Sequence, residues 1–249
     1  MISGRRPFGD YNGDGTTDVA VFRATSGLWA VRGVTRVYFG SESDAPVPRD
    51  YDGDGTTDIA IYRSASGLWA LRQISRVYFG GSADQVVPED YDGDGSCDIA
   101  VFRGSNGLWA VRNVTKVYFG SATDFPLPAD YRGEGTVDIA LYRSASGLWA
   151  MRGFTRFYFG GPGDQVLSAC FDGDSAFDPA IFRSASGLWA VRGVTRIYFG
   201  GSSDLPVPGD FDGAGQDEFA VFRSSSGLWA LRQLSRIYFG DPDDLPVIK

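Results

Sequence analysis

Asp50, Asp52, Asp54 and Asp58 fall within nine residues, DYDGDGTTD, and then give way to an apolar run, IAIYR. Four carboxylates converging with nothing between them repel one another, and a divalent cation gripped by hard oxygens removes that repulsion. The spacing D-x-[DN]-x-D-G-x-x-D places oxygen donors at loop positions 1, 3, 5, 7 and 9, with glycine at 6 for a sharp turn. Three copies are complete: Asp10, Asn12, Asp14, the Thr16 carbonyl and Asp18; Asp50, Asp52, Asp54, the Thr56 carbonyl and Asp58; Asp90, Asp92, Asp94, the Ser96 carbonyl and Asp98.

That layout matches the first nine positions of an EF-hand loop, where position 7 contributes its backbone carbonyl. The flanks here are strand-like, and position 12 is Ile61 rather than a bidentate glutamate. Hard oxygens in this number suit Ca²⁺ better than Mg²⁺, which keeps its waters. About three calcium ions are therefore expected, in blades one to three as defined below, and they would move the formal charge from −8 to −2. Three further copies are spoilt. The fourth has Arg132 at position 3 and Glu134 at position 5, so its guanidinium can stand in for a cation. The fifth has Cys170 at position 1, Ser175 at position 6 and Pro179 opening the next strand. The sixth has Ala214 at position 5 and Glu218 at position 9. For these three a metal-free network of Asx turns is expected.

Histidine is absent, which excludes His-based acid–base chemistry, Ser-His or Cys-His nucleophiles and most zinc, copper and iron sites. A net charge of −8 and a pI near 4.6 argue against a nucleic-acid partner, which needs a basic face. No apolar run is long enough to span a bilayer as a helix, so no membrane insertion is expected. MISGRRPFGD lacks an apolar h-region, and no signal peptide is expected within it. Cys97 and Cys170 sit in loops two blades apart and are expected to be free thiols.

The elements that position the loops follow from an internal repeat. Trp29, Trp69, Trp109, Trp149, Trp189 and Trp229 recur every 40 residues in SGLWA or NGLWA, and YFG ends at Gly40 and every 40 residues thereafter. Each unit reads as four short strands separated by turn signals, without helical periodicity. In DIAIYR both faces are apolar, so the sheet is buried on both sides and must stack between neighbours. Four-stranded sheets at this period predict an all-β, six-bladed β-propeller. The blades are expected at 10–49, 50–89, 90–129, 130–169, 170–209 and 210–249, in a single domain over 1–249, with 1–7 as a leader. Pro46 and Pro48 each lack an N–H on the same side of their strand, which marks DxPVP as an edge beside the central channel. DLPVIK is a seventh copy of that inner strand, and residues 244–248 are expected to complete blade one.

With the repeat, the aspartate loop and YFG together, residues 8–249 resemble the FG-GAP (VCBS) repeat family, which includes the propeller of integrin α subunits. The resemblance implies calcium in the loop between first and second strands, and an extracellular or cell-surface adhesion or carbohydrate-binding role. With six units, and intact loops in the first three, an integrin-like ligand site is not implied. The tryptophans read either as blade packing or as sugar-stacking platforms. The arginines of the Arg32 and Arg72 type read either as partners of the Asp84-type carboxylates or as ligand contacts. The favoured function is a non-catalytic calcium-binding module, monomeric, for a glycan or an extracellular protein. A purely structural repeat and a carboxylate-based glycan hydrolase or lyase are the alternatives.

Overall fold

β-branched and aromatic residues alternating between two apolar faces form strands wherever the repeat predicts them. The computed structural model describes residues 7–247. Six four-stranded antiparallel sheets form the blades of a propeller. In the second blade the inner strand is Ala45–Pro46, followed outward by Ala60–Arg63, Leu68–Leu71 and Ser75–Tyr78. The first blade is completed by the chain end: Leu245–Pro246 pairs with Ala20–Arg23, in the register Val21 to Pro246 and Phe22 to Leu245. Residues 1–6 of the expected leader, and Ile248 of the expected closing strand, lie outside the described residues. No helix of the described residues is long and apolar enough to cross a membrane.

Proline marks the free edge of the inner strands. In the second blade Val47 donates to the Ala60 carbonyl at 2.9 Å and Arg49 accepts the Asp58 N–H at 2.7 Å. Pro46 and Pro48, at the alternate positions, therefore turn their donor-less nitrogens away from the neighbouring strand. In the fifth blade Val166 and Ser168 replace both prolines, and the inner strand runs unbroken from Gln165 to Ala169. Glycine is required where the second turn folds under the outer strand. A Cβ on Gly27 would meet the Gly40 carbonyl oxygen at 2.4 Å, and its φ is +67°.

The core of each blade centres on its tryptophan. Trp29 is fully buried, tilts against Phe22 at 5.0 Å and donates its indole N–H to the Phe39 carbonyl at 2.9 Å. Beside it a buried carboxylate joins the inner turn to the second strand. Asp124 accepts from Arg143 Nε at 2.7 Å and Nη2 at 2.9 Å, a bidentate pair found in every blade. In the first blade it ties the chain ends, because Arg23 is held by Asp241 and Asp244. The sequence pointed instead to the Arg72 type as partner of the Asp84 type. That expectation is corrected: Asp84 pairs with Arg103, whose strand is the one that lies against the inner turn.

Arg143→Ala strands a buried carboxylate. It is expected to cost about 2 kcal/mol, below the ~3–5 kcal/mol of a fully buried pair because water reaches the guanidinium. Scanning calorimetry should show a fall in Tm of roughly 4–8 °C. Arg152→Ala, at an exposed position of the Arg32 type, should change stability by under about 0.5 kcal/mol. Equal losses in the two variants would refute the pairing.

Candidate metal centres

Each aspartate loop joins the inner strand to the second strand, so all six gather around one mouth of the central channel. Position 1 builds the loop. Asp50 Oδ1 accepts the Gly53 N–H at 2.8 Å and Oδ2 accepts the Gly55 N–H at 3.0 Å. Position 5 is pinned by position 7: Thr56 donates its N–H and its hydroxyl to Asp54 Oδ1 at 2.7 and 2.6 Å. Position 9 turns one oxygen to the backbone, as Asp58 Oδ2 accepts the Tyr51 N–H at 2.8 Å. Tyr51 in turn donates its hydroxyl to the Val47 carbonyl, which clamps the loop to the inner strand.

Carboxylate oxygens of Asp50, Asp52 and Asp58 lie within 4.8 Å of one another, as do those of Asp90, Asp92 and Asp94. Burial, with Asp14 and Asp10 nearby, pushes the Asp18 carboxyl up to about 6. Burial and the Asp52, Asp50 and Asp54 charges do the same to Asp58. Asp98 is raised for the same reasons. Hydrogen bonds from Thr16 and Ser96 instead lower Asp14 and Asp94.

The first and fourth loops reveal what these oxygens attract. Asn12 places its amide nitrogen 3.0 Å from Asp14 Oδ2 and 3.4 Å from Asp18 Oδ1. In the fourth loop Arg132 Nε lies 2.8 Å from Asp138 Oδ1, and Nη1 lies 2.9 Å from Glu134 Oε2. Positions 5 and 9 thus draw a donor from position 3 in both loops, and in the fourth the guanidinium supplies the charge. The acids converge on one point in the second loop, at Asp50, Asp52 and Asp58, and in the third, at Asp90, Asp92 and Asp94, which suits a hard cation. Asp54 and Asp98 stand outside those groups, and Asp10, Asp14 and Asp18 of the first loop form no such group among the described residues.

Two loops that the sequence set aside also gather acids. Cys170, Asp172 and Asp174 form one group, and Asp210, Asp212 and Glu218 another. Burial, with Asp212, Asp210 and Asp217 nearby, pushes Glu218 up to about 7. The signal was present at positions 1, 3 and 9 of the sixth loop, where all three residues remain acidic. Cys97 and Cys170 are free thiols.

Trp29, Trp69, Trp109, Trp149, Trp189 and Trp229 are corrected as ligand platforms. All six are fully buried, each with its indole N–H spent on a phenylalanine carbonyl, so none offers a ring face to a sugar.

Sequence reading also missed the residues facing the channel. Positions that repeat poorly meet there: Arg49, Glu89, Ala129, Ala169 and Gly209 occupy one repeat position, just before the loop. Arg49 Nη2 bonds Glu89 Oε1 at 2.9 Å, and its guanidinium lies 4.9 Å from the Phe8 ring. Below them a cavity of about 350 Å³ is walled by Val87, Leu127, Leu167, Val207 and the inner-strand prolines. The signal was variation within an otherwise near-identical repeat.

No family model matches the chain, and no curated protein matches it. Among solved structures it is similar to the Photorhabdus luminescens Tc holotoxin pore, at 12% identity and a TM-score of 0.49, over 97% of this chain and 14% of that chain. The propeller assignment rests on the strand order and the closure of the first blade, independently of that likeness.

Proposed function

We propose that this chain is a non-catalytic, calcium-binding β-propeller of the FG-GAP (VCBS) kind, acting as a secreted or cell-surface binding module. The observation that carries this reading is the convergence of carboxylates in loops whose geometry draws an amide or a guanidinium to the same point. Calcium there would neutralise the loop acids, held by positions 1, 3, 5 and 9 with the position 7 carbonyl. Sites of this kind on extracellular modules bind at about 10⁻⁴–10⁻³ M, which suits a calcium-rich exterior. A non-catalytic role is supported by the placement of acids, since those outside the loops are largely tied to arginine. The partner in this reading is a glycan or an extracellular protein, bound by a monomer.

Calcium titration by calorimetry should give about three ions per chain, and EDTA should lower Tm. A ligand at 100 times its Kd adds about 2.7 kcal/mol per site when only the folded state binds it. Titration showing no calcium uptake, with an unchanged melting curve in EDTA, would overturn the reading. Converting the fourth loop with Arg132→Asp and Glu134→Asp should add one equivalent.

The pH dependence has a defined sign. Without a cation, Asp18 and Asp58 hold their protons up to about pH 6, whereas unfolded aspartate ionises near 3.9. The folded state then binds more protons between about pH 4 and 6, so its stability rises as pH falls through that window. The arginine-paired Asp44, Asp124 and Asp244 are lowered and act in the opposite sense, but only below about pH 4. In EDTA, Tm should be higher at pH 5 than at pH 7. In calcium the order should invert, because protons then compete with the ion. The same order in both would separate these carboxylates from metal binding.

A further inference from the structure

The outer strand of each blade alternates in the opposite phase to its core. Arg36 and Tyr38 face solvent, while Val37 between them is turned inward and packs beside the buried Trp29 core. Tyr38 exposes 74% of its surface, and Tyr78, Tyr118, Tyr158, Tyr198 and Tyr238 expose 70–75%. The cation two residues before each tyrosine is arginine in five blades and Lys116 in the third.

The charges of the molecule are sorted by radius. Arginines of the Arg23 type are paired with the Asp44 type, Arg49 with Glu89, and Arg132 with Glu134 and Asp138. Every other basic residue of the described chain belongs to the Arg32 or Arg36 type, and none makes an ion pair among the described residues. The aspartate loops, where the acids are densest in sequence, lie at the hub. Four strands at about 4.8 Å spacing put the outer strand about 14 Å from the inner one. That exceeds the ~8 Å Debye length at physiological salt, so the rim presents its own positive charge despite a net charge of −8.

We propose that this rim binds an acidic polysaccharide built on uronic acids, which wraps along the blade edges. The proposal rests on the binding-module reading and names its partner chemically. A uronate ring offers an apolar C–H face for Tyr38 and a carboxylate for Arg36, two groups whose Cα atoms lie about 7 Å apart along a strand. Beside Arg156 a cleft of about 310 Å³ between two blades is lined by Leu141, Leu148 and Ala150 and by the paired Asp124 and Arg143. The rim tyrosines lie outside it, so the ring contact rests on the open strand surface. Six edges pointing outward around a ring cannot all meet a flat membrane. A duplex with a persistence length of about 50 nm cannot bend around them either. A flexible chain meets several in turn, and each added contact raises the effective concentration for the next.

The test is binding of hyaluronan by calorimetry in calcium, at about 50 and 500 mM salt. Long chains should bind at least about tenfold tighter than the tetrasaccharide, and high salt should weaken binding. Two variants are compared: Arg36→Gln with its five counterparts, and Tyr38→Ser with its five counterparts. Each should lose about tenfold or more, with circular dichroism and calcium stoichiometry unchanged. Failure of the wild-type chain to bind hyaluronan, or retention of binding in both variants, overturns the proposal. Equal or tighter binding of dextran sulfate or a single-stranded thymidine oligomer overturns the uronate assignment. Calcium uptake read on the same samples separates failure of the rim from failure of the metal reading.

Discussion

A closed circle of backbone hydrogen bonds around the hub is the constraint on which the other features depend. The N–H at loop position 8 donates to the carbonyl at position 1 of the preceding blade's loop. Thr57 bonds Asp10, Cys97 bonds Asp50, Val137 bonds Asp90, Phe177 bonds Asp130, Asp217 bonds Cys170, and Thr17 closes the circle on Asp210. Their lengths run from 2.6 to 3.0 Å. Position 1 therefore serves two blades at once: its carbonyl holds the next blade, and where it is aspartate its carboxylate shapes its own loop. Glycine at position 4 permits the close approach: a Cβ on Gly93 would meet Thr136 Cγ2 at 2.8 Å. Any cation that stiffens one loop acts on a link of this circle, so local loop order and ring integrity are coupled.

The ends of the chain meet under the same constraint. Val247 donates its N–H to Ala20 at 3.0 Å, while Gly9 accepts the N–H of Asp18 at 2.8 Å. The inner edge of the first blade is thus shared between the two ends, where every other blade uses one continuous segment. Tyr11 donates to the Val247 carbonyl at 2.6 Å, and Arg23 binds Asp244. These contacts span more than 200 residues of sequence, so this seam forms only once the chain ends have come together. Its strength sets how far the ring behaves as one unit.

Much of this was legible in the sequence because period and alternation are local. The 40-residue repeat, both-face burial in DIAIYR and the paired prolines specify blade number, stacking and inner edge without tertiary information. The intact loops were legible for the same reason, since their ligands lie within nine residues. What was misread needs partners distant in the chain. Tryptophan and the outer tyrosine are both aromatic strand residues. The cross-strand pairing of Trp29 with Val37 and of Leu28 with Tyr38 puts one inside and the other at the rim. Likewise Arg63 and Arg72 both end strands. The inner strand pairs with Ala60–Arg63 through Tyr62, which leaves Arg63 beside Asp44.

The hub is where six identical units cannot remain identical. Six copies of one long side chain aimed at a common axis would collide, and six copies of one charge would repel. The chain resolves this by dividing the ring. Blades two and three contribute Arg49 and Glu89 as an ion pair, whereas blades four to six contribute Ala129, Ala169 and Gly209. The volume released on the small side is filled by Phe8, which sits over Arg49 and packs at 5.8 Å against Phe177 across the ring. Gly209 is small for a local reason as well, since a Cβ there would meet Thr17 Cγ2 at 2.8 Å. Departures from the repeat at the hub are therefore a packing solution forced by symmetry. The near-identical rim, where edges diverge and nothing collides, is free to repeat one basic and aromatic pattern six times.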